Sequence, residues 1–142
     1  MKKASLLLLI ITIISCLRVQ AQICFAVAKD ENGSSIKWEV AMNKGYLSDT
    51  EYAAMQALKN AGYKNITTLT CPSCGHNLKS GYWVVVEKTY KRYDNKMITA
   101  FGMGASSNSI IEAEENAVKN MVMYCGSLNK SDGHTISEKG TF

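Results

Sequence analysis

Twice along this chain two segments of β-strand character are followed by one patterned as a capped helix, and that repeated order sets the tightest limit on the fold. In the first half Ile23 to Lys29 is apolar and partly β-branched, and Asp30-Glu31-Asn32-Gly33 is a turn. Ile36, Trp38, Val40 and Met42 then alternate with Lys37, Glu39, Ala41 and Asn43. This spacing predicts a hairpin whose second strand buries one face. Ser48-Asp49-Thr50-Glu51 fits a capping box, predicting a helix to about Asn60 that stops near Gly62.

The second half follows the same plan: a strand from Tyr82 to Tyr90, a polar turn from Lys91 to Lys96, a strand from Met97 to Met103, and a helix from Ile110 to about Cys125 before Gly126. Ser109-Ile110-Ile111-Glu112 again fits a capping box. Ala57-Leu58-Lys59-Asn60 matches Ala117-Val118-Lys119-Asn120 sixty positions later, consistent with a duplicated strand-strand-helix unit. Ile110, Ile111, Ala113, Ala117, Val118, Met121, Val122 and Cys125 form one apolar face at helical spacing. The expected fold is α+β, an antiparallel sheet with both helices on one face. Ile66 to Thr70 reads as an extra edge strand. Residues 127–142 are polar and read as a flexible tail.

The start of the chain sets the compartment. Lys2 and Lys3 precede an apolar run from Ala4 to Leu17, and Val19 and Ala21 are small residues placed for cleavage. This is a secretory signal pattern over residues 1–21, with a run shorter than the roughly 20 residues of a spanning helix. Cleavage leaves 121 residues starting at Gln22, the size of one domain, covering 22–126 plus the tail. It removes Lys2, Lys3 and Arg18, so the formal charge falls from +4 to +1. The basicity belongs to the leader and gives no reason to expect nucleic acid as a partner. Ile13-Ile14-Ser15-Cys16 also resembles a lipobox. Lipidated Cys16 would then begin the mature protein and tie it to a bacterial membrane, with Arg18 retained and a charge of +2.

Four cysteines follow the leader: Cys24, Cys71, Cys74 and Cys125. An even count in a small exported domain favours two disulfides, with three possible connectivities. Cys71-Pro72-Ser73-Cys74 also resembles the redox motif of thioredoxin-like oxidoreductases. The residues after it do not support a long helix, and Pro72 is the only proline in the chain, so the separate cis-proline of that fold is missing. With His76 the same turn looks like one knuckle of a zinc ribbon, but the sequence holds no matching second pair. A thiol-redox or zinc protein built on Cys71, Cys74 and His76 is therefore the alternative reading. Otherwise the two histidines, His76 and His134, are poorly placed for hydrolase chemistry, no catalytic set stands out, and no cofactor is expected.

The helix, strands and helix from Ser48 onward, with Gly102-x-Gly104, look like a double-stranded-RNA-binding domain. Where that family places phosphate-gripping lysines, this chain has Ser106, Ser107, Asn108 and Ser109, then Glu112, Glu114 and Glu115, which would repel phosphate. Phe25-Ala26-Val27-Ala28, Gly102-x-Gly104-x-Ser106, Glu112, Ala113 and Ala117 carry a closer resemblance. It is to small exported bacterial domains of unknown function built from two strand-strand-helix units. The chain departs from them in its lower tryptophan and glycine density in the second strands and in its Cys71 to His76 turn. The resemblance implies a non-enzymatic envelope domain that binds another protein, some similar proteins being immunity proteins or inhibitors of secreted toxins.

N-terminal sequencing with intact mass tests the leader directly. Cleavage after Ala21 gives a chain starting at Gln22, whereas lipidation gives a blocked Cys16 with the added mass of acyl chains.

Overall fold

A computed structural model describes residues 22–43, 45–74, 78 and 80–142. The expected signal segment, with Cys16, and His76 lie outside the described residues. The fold is α+β, in the order β1 (Gln22–Lys29), β2 (Ser35–Asn43), α1 (Leu47–Asn60), β3 (Ile66–Leu69), β4 (Tyr82–Lys91), β5 (Met97–Ser106), α2 (Ile110–Tyr124) and β6 (Thr135–Thr141). Short 3-10 turns occupy Pro72–Cys74 and Lys130–Asp132. Among the described residues no helix is long and apolar enough to cross a membrane.

The antiparallel strands divide between two three-stranded sheets, ordered β2-β1-β3 and β5-β4-β6, so each helix covers its own sheet. The expected single sheet with both helices on one face is replaced by four layers, helix, sheet, sheet, helix. The reason is visible in β1 and β4, whose side chains are buried on both faces. Phe25 and Val27 point with Trp83, Val85, Phe101 and Met103 into a core between the sheets. Ala26 and Ala28 point the other way, under Ala54 and Leu58 of α1. Val84 and Val86 likewise turn to Ala113, Ala117 and Met121 of α2. A strand buried on both sides needs no polar alternation, which explains the unbroken apolar run at the start of β1.

Strand faces under the helices carry small residues, and this sets how closely the layers approach. A Cβ on Gly102 or Gly104 would come within 3.0 Å of the α2 backbone at Ala117, and at Gly104 of Ala113 as well. Ser109 caps α2 as expected, its Oγ accepting from the Glu112 amide at 3.1 Å. The Glu112 carboxylate completes a different set of bonds, accepting from Ser106 Oγ at 2.9 Å and Asn108 Nδ2 at 2.8 Å. α1 departs further from expectation. Tyr46, not Ser48, holds the cap position, with no side-chain cap bond. Its end conforms, with Gly62 at φ +92° donating to the Lys59 carbonyl at 2.9 Å.

The expected flexible tail is corrected by β6, which pairs antiparallel with β4 from Tyr82↔Thr141 to Glu87↔Thr135. β3 pairs with β1 in the same way, from Phe25↔Leu69 to Ala28↔Ile66, so each half is a strand-strand-helix-strand unit. Gly140 lies opposite Trp83, whose indole fills the space a side chain would take. Phe142 packs into the core between the sheets, and its backbone exchanges two hydrogen bonds with Gly81 at 3.1 Å each. The hairpin turns also meet: Arg92 donates to the Asn32 carbonyl at 2.8 Å, and Lys96 to Asn32 Oδ1 at 2.7 Å.

Substituting Gly104→Ala should destabilise the domain by about 1–3 kcal/mol, since the added methyl meets helix backbone and not a movable side chain. Gly126→Ala, with open space around it, should change stability by less than about 0.5 kcal/mol. Denaturant titration of both variants measures the contrast.

Candidate functional site

β3 accompanies β1 only as far as Phe25, so Ile23 and Cys24 lack a partner on that side. The chain there turns through Thr70 into the Pro72–Cys74 turn, leaving a mostly apolar cavity of about 200 Å3 between β1, the start of α1 and the cysteine turn. Cys24, Glu51, Cys71 and Cys74 line it together. It is the part of the described structure where sulfur chemistry is concentrated.

Cys71 and Cys74 are bonded to each other, their Cα atoms 5.1 Å apart. Cys71 is 9% exposed and Cys74 1%, both within the core between the sheets. The turn is held against the outer edge of β5. Ser73 Oγ accepts from the Ala105 amide at 3.0 Å. Buried Asn120 links the Thr70 carbonyl, at 2.7 Å, to the Met103 amide, at 3.2 Å. Tyr124 adds a second bond to Thr70 at 3.1 Å. These side chains satisfy edge amides of β5 that no strand pairs, a requirement for buried backbone groups.

The expectation of two disulfides is corrected, because Cys24 and Cys125 are free thiols. Cys24 sits on the α1 side of its sheet, its Sγ 3.8 Å from the Leu47 carbonyl. Cys125 packs with the cluster beneath α2. Both sheets separate the two, so no bond can join them. Burial, helped by the charge of Glu51, pushes the Cys24 thiol up to about 11. Burial also raises Cys125, against a lowering by its hydrogen bond to Tyr90. The Tyr90 phenol is itself pushed up to about 12 by burial and then by Cys125. A buried thiol at Cys24 and a half-buried one at Cys125, both with raised pKa, are poorly reactive, which lets them coexist with a disulfide.

The thioredoxin comparison requires an exposed first thiol at the start of a helix. Cys71 instead precedes a single 3-10 turn and is enclosed. As a metal knuckle the pair would have to be reduced first, because bonded sulfurs supply no thiolate. Among the described residues no group of three or more His, Cys, Asp and Glu is arranged to hold an ion. His134 lies elsewhere, 2.7 Å from Glu114 on the outer side of α2. Glu114 and Glu112 are thus occupied by separate local contacts.

Asn120 and Ser73 are the site residues that sequence reasoning missed. Asn120 interrupts the apolar face between Ala117 and Met121, and a polar residue in that position is the mark of a buried tether. No family model, curated protein or solved structure matches this chain.

Thiol titration of the denatured, unreduced mature protein should find two thiols per chain, and a further two after reduction. In the folded protein at pH 8, alkylation at Cys24 should be at least about a hundredfold slower than at a free cysteine, reflecting a thiolate population set by a value near 11 in place of 9.0. The raised value favours the protonated fold. Stability is therefore unaffected by this thiol below pH 9 and falls as pH rises from 9.0 towards 11.

Proposed function

We propose that this chain is an exported, non-enzymatic protein-binding domain of the bacterial envelope, acting as a periplasmic immunity protein or inhibitor of a secreted toxin. The observation that carries the binding role is a group of large apolar side chains in solvent between the end of β2 and the start of α1. Tyr46 is 79% exposed, Met42 42% and Leu47 40%. Tyrosine and methionine are enriched in protein interfaces. Leu47 also borders the mostly apolar cavity beside Cys24.

Export is supported by the leader pattern and by a disulfide in a chain of this size. The disulfide serves as a staple: it is enclosed, and its turn is hydrogen-bonded to β5 and α2. The partner in this reading is a protein and not nucleic acid, and a membrane is involved only through a lipid on Cys16. No cofactor is required.

Crosslinking capture from the native cell envelope tests the reading. One protein should be recovered specifically with the mature domain. Tyr46→Ala combined with Leu47→Ala should reduce recovery about tenfold or more, with little change in melting temperature, since Tyr46 is largely solvent-exposed and Leu47 partly so. Recovery of no specific partner, together with unchanged resistance of deletion cells to neighbouring toxins, contradicts it.

A further inference from the structure

The two sheets have four outer edges, and three of them are guarded. β3 has only four residues. The β5 edge amides of Thr99, Met103 and Ala105 are bonded by Ser34, Asn120 and Ser73. β6 is polar, and its pairing with β4 carries an irregularity between Val85 and Val86. β2 differs from all three. It runs nine residues without proline, and its pairing with β1 is regular from Lys37 to Asn43. Its outer edge pairs with no other strand among the described residues, although the Trp38 indole donates to Ser137 Oγ of β6 at 3.2 Å. Ile36 stands 49% exposed on it. A long, regularly paired edge is a template for strand addition, and its two charged side chains, Lys37 and Glu39, are of opposite sign, so an antiparallel copy can pair them.

We propose that this edge binds a second copy of the same chain, β2 against β2 in antiparallel register about a twofold axis through Trp38, joining two sheets into one of six strands. The register follows from charge. Around Trp38 the strand reads Ile36-Lys37-Trp38-Glu39-Val40. An axis at Trp38 sets Lys37 opposite Glu39 of the second copy, twice by symmetry, and Ile36 opposite Val40. An axis at Glu39 or at Lys37 would instead set like charges face to face. An axis between residues 37 and 38 would oppose Glu39 to Ile36. Directly opposed side chains share a face and interact most strongly. Neither Lys37 nor Glu39 has an ion-pair partner among the described residues, so both remain available. Lys37 Nζ sits 5.9 Å from the Trp38 ring, at the centre of the pairing.

This inference is independent of the proposed partner protein, whose capture has its own readout. Sedimentation equilibrium of the mature protein at low salt should show a monomer–dimer equilibrium. Lys37→Glu and Glu39→Lys should each weaken the dimer about tenfold or more, because each turns two attractive pairs into two repulsive ones. The double variant K37E/E39K should regain the dimer, and an equimolar mixture of the two single variants should form a heterodimer. Circular dichroism matching the parent confirms that each variant is folded. A chain that stays monomeric up to about 500 μM, or a dimer indifferent to the single reversals, overturns the proposal. A foreign extended peptide pairing with β2 of a monomeric chain overturns it equally.

Discussion

The face-to-face contact of the two sheets is the interaction on which the rest depends. Phe25 and Val27 from one central strand meet Val85 from the other, with Phe101, Met103 and Trp83 around them. Fully burying a side chain of this kind contributes about 1.5–3 kcal/mol. A three-stranded sheet with one helix would leave this face in water, so neither half has a complete core alone. The outer layers then follow from side-chain size. Alanines and glycines on the opposite strand faces let each helix lie close to its own sheet.

Placing β5 at a sheet edge creates a second demand, since its outward amides need partners. The cysteine turn, Asn120 and Ser34 supply them. The disulfide therefore belongs to the scaffold. It fixes a turn whose hydroxyl and preceding carbonyl are already tied to β5 and α2. The cavity beside it arises because β3 stops short of Cys24. The buried thiol of Cys24 and the half-buried thiol of Cys125, both raised in pKa, fit the same picture of sulfur held away from exchange. On this account the exposed side chains at the end of β2 and the start of α1 take no part in holding the scaffold together, and the proposed binding role rests on them.

Both hairpins, the Ser109 cap and the Gly62 stop were legible in the sequence, because each depends on neighbouring residues alone. The Ser48 box was not realised, since α1 begins at Leu47 with Tyr46 at the cap, two residues earlier than a Ser48 cap would start it, and packing over β1 outweighed the local signal. The division into two sheets was encoded in the double burial of β1 and β4, which a short apolar run does not distinguish from burial on one face. β6 was hidden by its polarity. Its strand character comes from pairing with β4 and from Trp83 over Gly140. The repeat extends to this strand, since β3 follows the first helix as β6 follows the second. The pairing of Cys71 with Cys74 required knowing which layer holds each cysteine.

The central claim is that two strand-strand-helix-strand units share one core and so unfold as one. Native-state hydrogen exchange across a denaturant series tests this most directly. The account predicts that the slowest amides of β1 and β4 open together, with the same free energy and the same denaturant dependence. Separate isotherms, with β1 opening at a distinctly lower free energy while β4 stays protected, would contradict it.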